Sequence, residues 1–348
     1  MSQSHPLFLL LRQVIEHRST LTRDQAREWL DLVLAGHATD VELAAMLGAL
    51  ASRGETPQEI AGMVDAMRAV ATTLPLSGAE REVLVDTCGT GGDASGTFNV
   101  STAAGLVAAA AGATVAKHGN RAVTSASGSA DVLEALGVPV GLGPAEAAEA
   151  LRSRRFAYLH APALHPAMKA VMPVRRALGV RTVFNVLGPL TNPAGAPGQV
   201  MGVYSARLVP VVAEAMVLLG TRHAFVVHGE GEEGQGLDEI SVSGRTQVAE
   251  VREGRIAYST RTPEELGVER APLAALRGGD AGENARILRG IFAGEMGPKR
   301  AIVLVNAAAV LVVAGLAVDL QAGLARAREA IDSGAVTRFL AALVDGGG

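Results

Sequence analysis

The spacing of apolar positions changes character near residue 76 of this chain. Up to that point they recur every three or four residues, in LFLLLRQVIEH, LTRDQAREWLDLVLAG, DVELAAMLGALASRG and TPQEIAGMVDAMRAVA. That period predicts four amphipathic helices, each with one face for a shared core. The boundaries are marked by local chemistry: Thr22 is placed to cap the second helix and Gly36 to stop it. The pair Thr56-Pro57 puts proline at the first position of the fourth. Residues 1–75 therefore read as a small all-helical unit.

Beyond Leu76–Ala79 the apolar runs shorten and alternate with helical stretches. REVLVDT reads as a buried strand, STAAGLVAAAAGA as a helix, TVAKHG as a strand and SADVLEALG as a helix. Such alternation predicts an α/β domain with a parallel sheet. A helical stretch follows from His165 to about Val186, strands resume with QVMGVYS, HAFVVHG and TQVAEVREG, and the chain closes in helices that include QAGLARAREAIDSG. No internal repeat and no low-complexity linker interrupts this order. The run AIVLVNAAAVLVVAGLAV (Ala301–Val318) approaches the length of a membrane span. Its Asn306, its many alanines and the lack of a second such run favour a helix, or a strand plus helix, buried on all sides.

Composition narrows the class. Of 348 residues, 49% are apolar and 19% charged, enough for a substantial core. Lys plus Arg number 31 and Asp plus Glu 35, a net charge of −4 that gives no support to non-specific nucleic-acid binding. Cys88 is the one cysteine, so intramolecular disulfides and cysteine-cluster zinc sites are excluded and a reducing cytoplasm is expected. At a strand-to-loop junction it reads as a small buried residue rather than a nucleophile. The N-terminal run Leu7–Leu11 is too short for a signal peptide and is followed by Arg12, Glu16 and Arg18.

The candidate chemistry lies in DTCGTGGDASGTFNVST (Asp86–Thr102), where a strand runs into four glycines between Gly89 and Gly96 and then a helix start. Free N–H groups at a helix N-terminus favour anions, and glycine lets a ligand approach the backbone. A nucleoside-triphosphate loop would need a Gly-Lys-Ser/Thr ending, which is missing. GTGGDA fits a dinucleotide fingerprint, but no acid to hold a ribose occurs between Ala94 and Asn120. A phosphorylated sugar held by loop N–H groups, Ser101, Thr102 and Lys117 remains, as does a turn without a ligand. KHGNRAVTSASGSAD repeats the strand–loop–helix pattern, so two neighbouring anion sites suit a ligand with phosphate at both ends.

These segments, with HPAMKAVMPVRRALGVRTVFNVLGPLTNP, LDEIS and the late NAAAVLVVAG, closely resemble anthranilate phosphoribosyltransferases, in order over nearly the whole chain. The resemblance implies transfer of the phosphoribosyl group of 5-phosphoribosyl 1-pyrophosphate (PRPP) to the amine of anthranilate, releasing pyrophosphate, in tryptophan biosynthesis. It implies an α/β fold in which a small N-terminal helical domain packs on a larger domain with a mainly parallel sheet, of the nucleoside phosphorylase-like kind. The helical domain would be 1–75 joined by about 165–187, with 76–164 and 188–348 forming the phosphoribosyl-binding domain. A cytoplasmic homodimer is implied, with PRPP and anthranilate as small-molecule partners, and neither nucleic acid nor membrane.

By the same resemblance, Gly89, Thr90, Gly91, Gly92 and Asp93 would wrap the pyrophosphate, and Thr97, Asn99, Ser101, Thr102, Lys117, Asn120 and Ser129 complete the PRPP site. Gly89, Asn120, His165 and Arg175 would line the anthranilate site. Ser101, Asp238 and Glu239 would hold magnesium, two ions per subunit. On the residues alone, Asp238-Glu239 could equally be a solvated acidic turn, since EGEEGQGLDE holds five acids in ten residues. Any arginine of VRRALGVR could be a surface residue, and His165 before Pro166 could simply cap a helix. Thr124 stands where relatives often have serine, and Ala126 where many carry lysine, which removes a positive charge near the phosphate. HGEGEEGQGLDEIS is longer before the acidic pair than in many relatives. The expected transition state is oxocarbenium-like, the amine of anthranilate is already neutral near pH 7, and no covalent nucleophile is expected. Two rivals stay open: a pyrimidine nucleoside phosphorylase, and a nucleic-acid-binding paralogue that keeps the fold and lacks the activity.

Overall fold

The computed structural model describes residues 6–122 and 126–346, so Thr124 and its expected hydroxyl lie outside the described residues. The chain opens with helices α1 (Pro6–Ile15), α2 (Arg23–Leu34), α3 (Asp40–Arg53) and α4 (Pro57–Ala69). α2, α3 and α4 each begin at a threonine in a reciprocal cap. Its hydroxyl accepts the N–H three residues on, and that residue's side chain returns to the threonine N–H: Thr22 with Gln25, Thr39 with Glu42, Thr56 with Glu59. α2 stops at Leu34, and Gly36 takes φ +78° just beyond it.

The α/β part follows as α5 (Gly78–Glu82), β1 (Leu84–Gly89), α6 (Val100–Ala110), β2 (Thr114–Gly119), α7 (Ser129–Leu136), α8 (Pro144–Arg154), β3 (Phe156–His160) and the short α9 (Ala161–Leu164). A 3₁₀ turn (Pro166–Ala170) leads into α10 (Met172–Leu178) and α11 (Phe184–Leu190), then β4 (Gly198–Gly202), α12 (Leu208–Leu218), β5 (His223–Glu230), β6 (Gly236–Leu237), β7 (Thr246–Arg252) and β8 (Arg255–Arg261). After a second 3₁₀ turn (Leu273–Leu276) come α13 (Ala281–Phe292), α14 (Pro298–Val313), α15 (Leu320–Asp332) and α16 (Ala335–Asp345).

The sheet order is β3-β2-β1-β4-β5-β7-β8, with β6 paired to β5. The first five strands are parallel; β7 and β8 extend the sheet antiparallel through a tight turn at Glu253-Gly254. Alternation along the strands divides the core. Val85, Val115, Phe156, Val200 and Phe225 pack against α6 and α14 on one face, through Leu106, Ile302 and Val310 among others. On the other face Met201, Val203, Ala224, Val226, Ala249 and Val251 meet α12 and the N-terminal helices, and Val174, Phe184 and Leu187 of α10 and α11 join the same cluster. At the β2–β3 end that face is covered by Ala147 and Leu151 of α8 against Ala116, Ala157 and Leu159.

Several expectations need correction. Arg81 and Glu82 end α5 rather than start β1, because Ser77 and Glu80 form a fourth reciprocal cap. QVMGVYS is extended only to Gly202. The stretch from His165 to Val186 is three short pieces separated at Val171 and around Gly179, whose φ is +62°, and the last continues to Leu190. α8, β3 and β8 went unread; β8 is exposed along most of its length, so its apolar alternation is weak. Ala301–Val313 is one helix segment, α14, buried at nearly every position. Its Asn306 is satisfied three times: it accepts from Ile240 N at 3.0 Å and donates to Ile240 O at 3.0 Å and Ile302 O at 2.9 Å. Among the described residues no helix is long and apolar enough to cross a membrane.

Candidate functional site

In this sheet the chain leaves β1 toward β2 on one side, while β4 and β5 lie on the other. The crevice at the carboxyl ends of β1 and β4 is thus a topological switch point, where open α/β sheets bind ligands. The glycine loop starts there and is held along its length. Thr90 donates its N–H to Gly202 O at 3.0 Å, and its hydroxyl accepts from Tyr204 N at 3.0 Å. Gly91 and Gly92 take φ +67° and +75°. Asp93 accepts from Ser95 N at 3.1 Å and Ser95 Oγ at 2.8 Å, and Thr97 Oγ1 lies 3.1 Å from Ser95 Oγ. Phe98 N and Gly96 O pair with Leu276 O and Gly278 N, stitching the outer half of the loop to the segment before α13.

The acidic pair is not a solvated turn: Asp238 and Glu239 are half-buried against this loop. Asp238 Oδ2 accepts from Gly91 N at 2.7 Å, its own N–H faces Asp93 Oδ2 at 3.4 Å, and Glu239 Oε1 accepts from Ser101 N at 3.0 Å in the first turn of α6. Space for Asp238 exists because Gly89 and Gly202, partners across β1 and β4, lack side chains. A Cβ on Gly89 would stand 2.2 Å from Asp238 Oδ2, and one on Gly202 would stand 1.5 Å from Asp238 O. Burial, with Asp93 alongside, pushes Asp238 up to about 7. Burial and Asp238 together lift Glu239 well above the carboxylate range. Loop N–H donors suited to phosphate are here held by carboxylates, and carboxylates crowded in this way would be relieved by a cation.

Lys117, 1% exposed near the end of β2, donates to Thr87 O at 2.7 Å and lies 3.3 Å from Ser101 Oγ. Burial lowers its pKa, while Asp86, Glu239 and Asp238 act to raise it. Asp86 is buried beneath it, accepting from His118 N at 3.2 Å and Asn192 Nδ2 at 2.8 Å. Burial raises the Cys88 thiol well above its ordinary value, so it stays protonated and structural. Thr102 Oγ1 is buried without a hydrogen-bond partner.

His165 does not cap a helix with its side chain. Its ring lies 5.2 Å from that of His118, and both Nε2 atoms are buried without partners. Burial first, then His165, pushes His118 down to about 3; burial also lowers His165. Both rings are therefore neutral at pH 7. Asn120 Oδ1 accepts from Arg121 N at 2.7 Å, and Ser129 Oγ sits 3.3 Å from Asn120 O and 3.2 Å from Tyr158 Oη, so both side chains brace the second loop. Asn99 reaches across to it, donating to Ser127 O at 3.1 Å. Ala126 is exposed.

Arg175 is half-buried, with its guanidinium 5.2 Å from the centroid of Phe184 and Nη1 3.8 Å from Met172 Sδ; no ion pair involves it among the described residues. Burial lowers its pKa. It makes no hydrogen bond to the glycine loop. Arg181 does: it stacks 4.5 Å from the centroid of Tyr204 and donates to Gly92 O.

The structure thus assembles Gly89 to Asp93, Thr97, Asn99, Ser101, Thr102, Lys117, Asp238 and Glu239 around one loop, places Asn120 and Ser129 on its neighbour, and sets His165 against the end of β2. Arg175 stands apart, on α10. Sequence reading missed Arg181, Tyr204, Asp86 and His118. His118 could have been found beside Lys117 in KHGN, and Arg181 is the third arginine of VRRALGVR; Tyr204 carried no signal. Among the described residues no three His, Cys, Asp or Glu side chains converge to hold a metal. That is compatible with magnesium, which uses one or two carboxylates and completes its shell with water and substrate phosphate.

The chain matches the model of the glycosyl transferase family α/β domain over residues 81–337 and that family's helical bundle domain over 9–71. It is 52% identical over 324 residues to the anthranilate phosphoribosyltransferase of Anaeromyxobacter dehalogenans, covering 93% of this chain and 94% of that one. It is 51% identical to that of Brevibacillus brevis, with 92% of each covered. The crystal structure of the Thermus thermophilus enzyme superposes with a TM-score of 0.89 at 45% identity, covering 97% of this chain and 98% of that one. The Saccharomyces cerevisiae enzyme in complex with PRPP and Mg gives 0.85 at 29% identity, with 97% of each covered.

Proposed function

The chain belongs to the anthranilate phosphoribosyltransferase family, and we propose that the loops at the β1–β4 crevice are where it carries out that family's reaction. It transfers the phosphoribosyl group of PRPP to the amine of anthranilate, giving N-(5-phosphoribosyl)anthranilate and pyrophosphate in tryptophan biosynthesis. The observation that carries the placement is that Asp238 and Glu239 cross the fold to the N–H groups of Gly91 and Ser101, with the buried Lys117 at the Ser101 hydroxyl. Gly89 to Asp93 bind the pyrophosphate, with Thr97, Asn99, Ser101 and Thr102; Lys117, Asn120 and Ser129 serve the phosphoribosyl end. The loop is hydrogen-bonded along its length before substrate arrives, which lowers the ordering cost of binding.

Magnesium belongs to this reading: Asp238 and Glu239 would hold it, at two ions per subunit, and bound there it would supply positive charge to the departing pyrophosphate. Ser101 fits less well as a ligand, since Lys117 already stands at its hydroxyl. As the C1–O bond to pyrophosphate breaks, positive charge grows on the ribose while the N–H groups of the glycine loop hold the leaving group's charge. Anthranilate lies toward Gly89, Asn120, His165 and Arg175, where the Arg175 fork takes its carboxylate and the amine attacks C1.

We further read 1–75 with 165–187 as one discontinuous helical domain, because α10 packs on α3 and α11 on α4. A homodimer belongs to the same reading, and its contact would lie on the helical unit, where Leu9 and Ile15 on α1 and Val41 on α3 are exposed. The single cysteine accords with a cytoplasmic location. The test follows anthranilate fluorescence after PRPP addition, with magnesium or with chelator. Magnesium-dependent loss of fluorescence is expected; persistent fluorescence with folded protein at saturating substrates would overturn the reading and favour nucleosides with phosphate.

A further inference from the structure

The two phosphate loops are joined by the amide of Asn99, and that amide is held by a side chain that belongs to neither loop. Asn284, in the first turn of α13, is 2% exposed where an apolar residue would ordinarily face the core. Its Oδ1 accepts from Gly279 N at 2.8 Å, and its Nδ2 donates to Asn99 Oδ1 at 3.0 Å. Asn99 in turn donates from Nδ2 to Ser127 O at 3.1 Å. We propose that Asn284 is a positioning residue for PRPP: it fixes the amide of Asn99 and thereby locks the glycine loop to the second loop. The inference rests on the reading of these loops as the PRPP site.

Hydrogen-bond direction makes the relay unique. An amide side chain can be flipped, exchanging oxygen for nitrogen, and only its partners decide which way it lies. Here both ends of the chain of bonds are backbone groups that cannot flip. Gly279 offers a donor, so Asn284 must present oxygen to it and nitrogen to Asn99. Ser127 offers an acceptor, so Asn99 must present nitrogen to it and oxygen to Asn284. One orientation of both amides satisfies every bond, and any other buries two like groups face to face. In that orientation Asn99 retains one N–H and one oxygen lone pair for a ligand. Asn99 is also the residue before α6 and makes no cap bond to that helix, so nothing local fixes its side chain. The segment that carries Asn284 already pairs through its backbone with Gly96 and Phe98, so loop and relay share one support.

Asn284→Asp is the sharpest test. The carboxylate still accepts from Gly279 but cannot donate to Asn99, so two oxygens face each other or Asn99 flips and turns its oxygen on Ser127 O. The expected result is a PRPP KM raised about tenfold or more, as when one buried group loses its partner, with the anthranilate KM within about twofold of wild type. Ile287→Ala loosens the same helix without touching the relay, and should lower the melting temperature while leaving both KM values in place. Equal PRPP KM in Asn284→Asp and wild type, or the same KM shift in Ile287→Ala, would overturn the proposal. A readout on the unaltered enzyme guards against a variant that does not fold: PRPP with magnesium should slow deuterium exchange over 279–284 together with 89–99. Slowing confined to the loop would also overturn it. A wild type that does not bind PRPP at all refutes the underlying site instead, and is told apart by the same titration.

Discussion

The helix starts of the N-terminal unit and the helix start beyond the carboxyl end of β1 use the same kind of residue for opposite ends. α2, α3 and α4 each open on a threonine whose hydroxyl is consumed by its own helix. α6 opens on Asn99, which makes no cap bond, and its first-turn Ser101 N–H is met from across the fold by Glu239. Thr102 Oγ1 in the same turn, and Nε2 of His118 and His165 nearby, are buried without partners. Where polar groups are satisfied locally they set helix boundaries. Where they are left to distant partners or to none, they are available to a ligand, at a cost in stability that local packing has to offset.

Substitutions on either side of this contrast should separate kinetic from structural effects. Gly202→Ala should have the largest effect, since its Cβ would stand 1.5 Å from Asp238 O and force the acidic segment off the glycine loop. We expect kcat/KM for PRPP to fall more than about 100-fold, the scale of a misplaced reactive group, in a steady-state assay at saturating anthranilate. Arg175→Ala comes next: removing a charge-assisted hydrogen bond to the substrate carboxylate should raise the anthranilate KM about 10- to 100-fold and leave the PRPP KM near wild type. An equal rise in both constants would place Arg175 outside the anthranilate pocket.

The buried rings of His118 and His165 give a pH test. Burial holds His118 at about 3 and lowers His165. The unfolded chain takes up these protons near pH 6.5 while the folded chain resists them. The stability contributed by the neutral rings is therefore complete above about 6.5 and is lost as pH falls toward the folded values, by up to about 1.4 kcal/mol per pH unit for each such ring. Urea unfolding at pH 7 and pH 5 should show this loss, and His118→Gln should make it shallower; an unchanged slope would mean that His118 contributes none of it. Thr22→Ala is the smallest change, about 1 kcal/mol of stability from a missing cap, with both KM values unaltered. A kinetic effect there would mean that the capped helices are not insulated from the site.

Much of the site was legible because its chemistry is contiguous. The glycine loop, Lys117 and the start of α6 lie within a few dozen residues, so a strand–loop–helix reading put their donors side by side, and the order of the motifs carried the family resemblance. Arg181 and Tyr204 were not legible, since an arginine in a basic run and a tyrosine after a strand become a clamp on Gly92 only when α10 and β4 meet. The acidic pair was ambiguous for the same reason: five acids in ten residues look solvated until the loop they fold against is known.

What the sequence determined by itself were the features fixed within one or two turns of chain: capped helices, buried strands, the glycine-rich approach to α6, and a single cysteine without a partner. Its weakest readings were β8, whose exposed edge has little apolar alternation, and the broken stretch around Gly179, where a backbone conformation rather than a hydrophobic period ends the helix. Tertiary structure alone decided which distant groups close the site. Asp238 can approach Gly91 only because Gly89 and Gly202 are paired across β1 and β4, and the amide of Asn99 is oriented only because Asn284 arrives from 185 residues away. Such contacts depend on the register of strands and the docking of helices, which no local period encodes.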